Sequence, residues 1–181
     1  MKRSLWIVLL ALALPISAFA VRSVYFRNNG GTLTGTTAGL ALTDSELVTV
    51  NGLEPLHGLG QVTGDLGSIS FSTGALSSGS LQTGGVFSGG TFTITGNGTR
   101  GLPTGTIFAG MFRGQVTWTM ITLANGTHAY TLTGPLKGTW YSGATGSGAT
   151  VQLTINTGTT LFDGSAEISS GNVSLSAPPS E

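Results

Sequence analysis

The chain has 181 residues, of which only 8% are charged, with seven basic and seven acidic side chains. So few charges exclude the basic surface that binds nucleic acid or anionic lipid. There is no cysteine, which excludes disulfides. The 30 glycines, 28 threonines and 19 serines are typical of strands and turns and disfavour helix. We therefore expect an all-β domain whose stability comes from packing and strand pairing.

Residues 1–20 have the pattern of a secretory signal peptide. Lys2 and Arg3 precede an apolar run that ends at Leu14, and the small-x-small exit Ala18-Phe19-Ala20 follows. The apolar run is about ten residues, half of the ~20 that a membrane helix needs. We predict cleavage between Ala20 and Val21 and a protein that is secreted, periplasmic or attached to the cell surface.

The remaining residues, 21–181, are expected to form a single β domain. Segment 91–176 should be its best-packed part, and 177–181 a flexible tail broken by prolines. After cleavage five basic and seven acidic residues remain, which gives a net charge of −2. We expect no partner among nucleic acids and no membrane span in the mature chain, because most candidate strands are shorter than the roughly 9–11 residues of lipid-facing strands.

Short alternating stretches separated by glycine clusters predict an antiparallel β-sandwich, with a closed β-barrel as the alternative. One segment, Thr37–Leu47, is rich enough in Ala and Leu to favour one or two helical turns. The candidate strands are Ser23–Arg27, Thr32–Gly35, Leu47–Val50, Ser68–Thr73, Ser80–Thr83, Thr91–Thr95, Ile107–Phe112, Gln115–Leu123, Thr127–Thr133, Leu136–Ser142, Thr150–Asn156, Ser165–Ser169 and Val173–Ser176.

A β-hairpin is predicted around Ala124-Asn125-Gly126. Asn-Gly is typical of a two-residue turn, but that register would mix apolar and polar side chains on both faces. With a three-residue loop whose glycine is left-handed, Trp118 faces Leu132 and Met120 faces Tyr130, while threonines pair on the other face. The pattern favours the three-residue loop.

A second hairpin is predicted directly after the first. If Ala144–Ser147 forms its loop, apolar residues of the two strands face each other and extend the same sheet. The predicted pairs are Leu136–Ile155, Gly138–Leu153 and Trp140–Val151.

The tetrad Thr-aliphatic-Thr-Gly occurs at Thr32–Gly35, Thr93–Gly96 and Thr131–Gly134. A solenoid would need a steady period of ~20–50 residues, and the spacing of these tetrads is irregular. We interpret them as strand ends of similar chemistry.

The sequence offers little for nucleophilic catalysis. His57 and His128 are the only imidazoles, and no Gly-x-Ser-x-Gly motif accompanies them. We interpret His128 as a strand-end side chain and His57 as a loop residue. No catalytic residue is predicted, and the chain is not expected to be an enzyme.

Two carboxylate pairs, Asp44 with Glu46 and Asp163 with Glu167, are the only candidates for acid–base work. Each is more typical of a solvated turn or a helix cap. The chain lacks a calcium-binding loop and a set of zinc ligands, so we expect no metal and no cofactor. Asn97, Asn125 and Asn172 match the glycosylation acceptor, which a threonine-rich chain produces by chance.

These observations predict a secreted, non-enzymatic structural or adhesive cell-surface protein. The alternatives are an extracellular module that binds a neutral glycan or a small apolar ligand and, third, a secreted hydrolase. The partners expected are further copies of the chain or an extracellular polysaccharide. For a polysaccharide the predicted binding residue is Tyr141, because an exposed aromatic ring stacks on the apolar face of a sugar.

Overall fold

The computed structural model describes residues 23–53, 56 and 60–176, and at residues 147–150 and 153 it describes the main chain only. The predicted signal peptide, His57 and the predicted C-terminal tail lie outside these residues. No α-helix occurs in the described part, whose strands are β1 (Ser23–Asn29), β2 (Thr32–Thr36), β3 (Gly39–Asn51), β4 (Gln61–Thr63), β5 (Gly67–Thr73), β6 (Leu76–Ser80), β7 (Gly84–Phe87), β8 (Gly90–Asn97), β9 (Thr104–Phe112), β10 (Val116–Thr122), β11 (His128–Trp140), β12 (Thr145–Gly158) and β13 (Ser165–Ser176).

The strands form a closed antiparallel barrel of eight positions. β13 pairs with β12 on one edge and with β1 and β2 on the other, and β1 and β2 pair in turn with β3. The ring continues from β3 through β5, β8, β9 and β11 back to β12. The predicted sandwich is therefore wrong, and the alternative, a closed barrel, is confirmed. Alternation along the chain is the same in both architectures, and only the pairing of the first and last strands distinguishes them.

Four positions of the ring each hold two shorter strands placed end to end. β11, for example, pairs with β9 through residues 136–140 and with β10 through residues 128–133, both along the same edge. β5 and β6 share a second position end to end, and β7 and β8 share a third. The fourth position holds β1 and β2. The break between β5 and β6 adjoins the break between β7 and β8, because the amide of Gly74 donates to the carbonyls of Ser88 (3.0 Å) and Gly89 (2.7 Å).

The break between β1 and β2 is stabilised by a buried polar pair. Asn28 Nδ2 donates to Ser45 Oγ over 2.7 Å, and Ser45 Oγ donates to the carbonyl of Gly30 over 2.8 Å. Both side chains are fully buried. Ser45 Oγ thereby supplies a partner for the main-chain carbonyl of Gly30 at the break, as a buried polar group requires.

The helical turns predicted over Thr37–Leu47 are absent, because Thr37 and Ala38 form the turn after β2 and the rest of the segment belongs to strand β3. Leu40 and Leu42 point inward, and Asp44 then takes a left-handed conformation (φ 55°) that makes a bulge. After the bulge Ser45 and Leu47 point inward. The shift in phase explains why simple alternation predicted only the second half of the strand, Leu47–Val50.

The register of the β10–β11 hairpin is confirmed. Trp118 pairs with Leu132 and Met120 with Tyr130 around a three-residue loop, in which Gly126 has φ 80°. The loop is closed by bonds from the amide of Leu123 to the Thr127 carbonyl and from the Gly126 amide back to Leu123, both within 2.9 Å. The apolar face lies inside the barrel and the threonine face outside.

The predicted register of the β11–β12 hairpin is wrong. β11 ends at Trp140, and the turn is Tyr141-Ser142-Gly143, so that Ile155 pairs with Tyr130 and Val151 with Gly134. The turn has the same hydrogen bonds as the first hairpin, since Trp140 donates to Ala144 and Gly143 donates back to Trp140. A glycine in the third loop position, with φ 85°, was the signal for this turn.

Aromatic rings fill the interior in three clusters. The first is Trp118, Tyr130 and Phe162, whose ring centroids are 4.9–6.1 Å apart. The other two are Phe71 with Phe92 and Phe112, and Phe26 with Phe108 and Trp140. All nine side chains are buried, and the core draws on both halves of the chain.

Inward-facing glycines make room for these rings. Gly110, Gly138 and Gly146 pair side by side on β9, β11 and β12. A Cβ on any of them would lie 2.7–3.0 Å from the ring of Phe108. The tetrad glycines Gly35 and Gly134 stand in the same way against Phe162 and Phe112.

Trp118→Ala is expected to lower the free energy of unfolding by about 3–5 kcal/mol, because it removes a ring packed between Tyr130 and Phe162. It also removes the 2.9 Å bond from Nε1 to the carbonyl of Leu81. The control is Thr119→Ala, which changes the neighbouring outward residue and should cost less than about 1 kcal/mol. Urea unfolding measures both, and equal losses would contradict the assignment of the two faces.

Candidate functional site

The outer surface of the barrel carries mainly hydroxyl groups. On β10 and β11, Thr117 pairs with Thr133 and Thr119 with Thr131, and Thr154 of β12 adjoins Thr131. A second array lies on β5 and β8, where Ser68, Ser70 and Ser72 pair with Thr95, Thr93 and Thr91. Ser72 Oγ and Thr91 Oγ1 share a hydrogen bond of 2.9 Å. We call these two arrays the hydroxyl surface.

A region of different chemistry crosses β12, β13, β1, β3 and β4. It contains an exposed tyrosine surrounded by amide and guanidinium side chains, and we call it the Tyr25 strip. Its residues all point outward and lie in two parallel rows. The first row is Ser174, Tyr25, Asn51 and Gln61, and the second is Gln152, Asn172, Arg27, Thr49 and Thr63.

The ring of Tyr25 lies along the surface of the sheet. Its partner on β13 is Ser174, yet its hydroxyl donates to Oδ1 of Asn172, two residues along that strand, over 2.5 Å. A side chain reaches such a diagonal neighbour only by leaning across the sheet. The ring is thereby fixed with 40% of the side chain exposed.

A cavity of about 420 Å³ lies at the β4 end of the Tyr25 strip. Gln61 and Thr63, which end the two rows, line it together with Arg100. Arg100 has φ 57°, a conformation that non-glycine residues seldom adopt. The turn before it is held by Thr99, whose Oγ1 donates to Asn97 Oδ1 and lies 2.9 Å from the carbonyl of Asp65.

A second cavity of about 320 Å³ opens where β6 diverges from β3. Thr73 caps this point, because its Oγ1 accepts the amide of Leu40 over 2.9 Å in place of a main-chain carbonyl. Thr34, Thr36 and Ser72 contribute hydroxyls to the lining. This cavity therefore presents the same hydroxyl groups as the hydroxyl surface.

Tyr141 lies in the β11–β12 turn and is 41% exposed. The sequence pattern assigned it to a strand, opposite in direction to Trp140, whereas it begins the turn and its amide donates to the carbonyl of Ile107 over 2.8 Å. Its role in binding stays a prediction. Tyr25 was not singled out from the sequence as a candidate binding residue. Alternation could have indicated it, because Tyr25 lies between the inward residues Val24 and Phe26 and therefore points outward.

The titratable candidates are separated on the surface. His128 begins β11, where its Nδ1 lies 3.1 Å from Thr122 Oγ1. Asp44 and Glu46 are exposed on the outside of β3, whereas Asp163 lies in the loop before β13 and Glu167 on that strand. Within the described residues no three His, Asp or Glu side chains form a cluster that could hold a metal ion.

The asparagines of the three glycosylation motifs form hydrogen bonds within the fold. Asn125 Oδ1 accepts both the amide and the hydroxyl of Thr127, and Asn97 Oδ1 accepts the same two groups of Thr99. These side chains stabilise the two Asn-Gly-Thr turns. Asn172 is the residue that anchors Tyr25.

Across the described ranges no helix has the length and apolar character needed to cross a membrane. No protein-family model matches the chain, and no curated protein or solved structure shows significant similarity to it. Function has to be inferred from the surface itself.

Proposed function

We propose that this protein is an exported, non-enzymatic adhesive protein that contacts a neutral extracellular polysaccharide through the outside of its barrel. The hydroxyl surface carries the proposal. Threonine and serine hydroxyls both donate and accept hydrogen bonds, as sugar hydroxyls do. Held on paired strands about 4.8 Å apart, they present a regular array to a polymer that repeats along its length.

The packing of the barrel supports contact from outside. An eight-stranded barrel is just wide enough to be filled by side chains or to hold one small ligand. Here the rings of Trp118, Phe112 and Phe108 and their partners occupy the interior and are at most 5% exposed. This favours the polysaccharide over the small apolar ligand as the partner. Tyr141, exposed at a turn, is retained in the proposal as a further contact.

The purified protein is expected to be retained on microcrystalline cellulose, chitin or insoluble β-1,3-glucan, equally at low and at high salt, because so few charges take part. Thr131→Val with Thr133→Val should weaken retention, since valine keeps the β-branched shape and removes the hydroxyls. Circular dichroism should show that the fold is unchanged. Retention on charged resins alone, or on no polysaccharide, would contradict the proposal.

Export is the part of the proposal that rests on residues 1–20. Protein recovered from the periplasm or the medium should begin at Val21, which N-terminal sequencing determines. A chain that keeps Met1 and stays in the cytoplasm would overturn this part.

Self-association is a second candidate, favoured by strand β6. Among the described strands β6 has a ladder with β7 alone, and toward β2–β3 only the amide of Leu76 bonds, to the carbonyl of Thr37 (2.9 Å). Ser77, Ser78 and Gly79 are exposed along it. An open edge of small residues is a template for a strand from another copy.

If copies join through β6, Ser78→Lys should abolish concentration-dependent association, because a charge on an edge strand blocks pairing. Ser70→Lys is the matched control, since Ser70 is equally exposed but lies on β5, which is paired on both edges. Sedimentation velocity over a range of concentrations measures association. Loss in both variants, or in neither, would exclude the β6 edge.

A further inference from the structure

We infer that the Tyr25 strip is a binding site for a saccharide chain, with Tyr25 as the stacking platform and the Arg100 cavity as the end of the site. The inference rests on the proposed function and deepens it, because it assigns recognition to particular residues. The hydroxyl surface provides contact over a wide area, whereas the strip provides a defined site.

Tyr25 has the geometry of a stacking platform. Its hydroxyl is anchored on Asn172, two residues from its cross-strand partner Ser174, and 40% of the side chain is exposed. The axial hydrogens of a sugar form an apolar face that packs on such a ring. An anchored ring loses little conformational freedom on binding, which favours affinity.

The side chains around the ring supply directional hydrogen bonds. Asn51, Gln61 and Gln152 each carry an amide that donates and accepts in one plane, and Arg27 carries a planar set of donors. Neighbouring hydroxyls on a sugar match such pairs. The hydroxyl surface lacks these groups, since it consists of threonine and serine.

The dimensions suit a chain and not a single sugar. The strip crosses five strands. Because neighbouring strands lie about 4.8 Å apart, its longer row spans about 19 Å. The row ends at the 420 Å³ cavity beside Arg100, which falls within the range of roughly 300–1,000 Å³ typical of ligand pockets. The left-handed conformation of Arg100 is a local strain of the kind that accumulates at ligand sites.

The test is isothermal titration calorimetry of the 21–181 chain with cellohexaose, chitohexaose and laminarihexaose. Tyr25→Ala should weaken binding of the hexasaccharide at least tenfold, and Tyr25→Phe, which keeps the ring, should weaken it much less. Arg100→Asn should weaken binding of the hexasaccharide but not of the matching trisaccharide. Asparagine is chosen because it tolerates the left-handed conformation.

Met111→Ala is the matched control, because Met111 is exposed on β9, outside the strip, and its loss should leave affinity unchanged. Binding that survives Tyr25→Ala but is lost in Tyr141→Ala would overturn the inference and leave the proposed function standing. Absence of binding by the unaltered protein to every soluble and insoluble polysaccharide would overturn the proposed function itself.

Discussion

Closure of the ring by β13 is the constraint on which the rest of the structure depends. β13 pairs with β12 along one edge and with β1 and β2 along the other, so the last strand holds the first. A chain without cysteine has no covalent staple, and an open sheet of this size would present two long unpaired edges. Closure pairs those edges and leaves the interior as one continuous core.

Closure in turn restricts what fits inside. In so narrow a barrel, large rings require small residues at neighbouring inward positions. The row Gly110, Gly138 and Gly146 under Phe108 is the clearest example, because any side chain there would collide with the ring. Some of the glycines that resemble loop composition in the sequence therefore serve core packing.

Local features of the fold could be predicted from the sequence, and long-range ones could not. The Ala124-Asn125-Gly126 hairpin was predictable because its two faces differ in polarity, which selects one register. The Tyr141-Ser142-Gly143 turn was not, because glycines at 138 and 146 remove the contrast that would have fixed the register. The first half of β3 was hidden by the bulge at Asp44, and only Leu47–Val50 was predicted as a strand. Sandwich and barrel differ only in a contact between chain ends.

The candidate site was less accessible to sequence reasoning than the fold. Tyr25, Asn51, Gln61 and Asn172 are spread over most of the chain, and only closure brings β13 beside β1 so that Asn172 can anchor Tyr25. The same pairing that stabilises the core thus assembles the amide-rich strip on the outside. Because β1 is held on both edges, by β13 and by β3, the part of the strip around Tyr25 belongs to the barrel wall. A rigid platform of this kind favours a partner whose shape is equally regular, as a polysaccharide chain is.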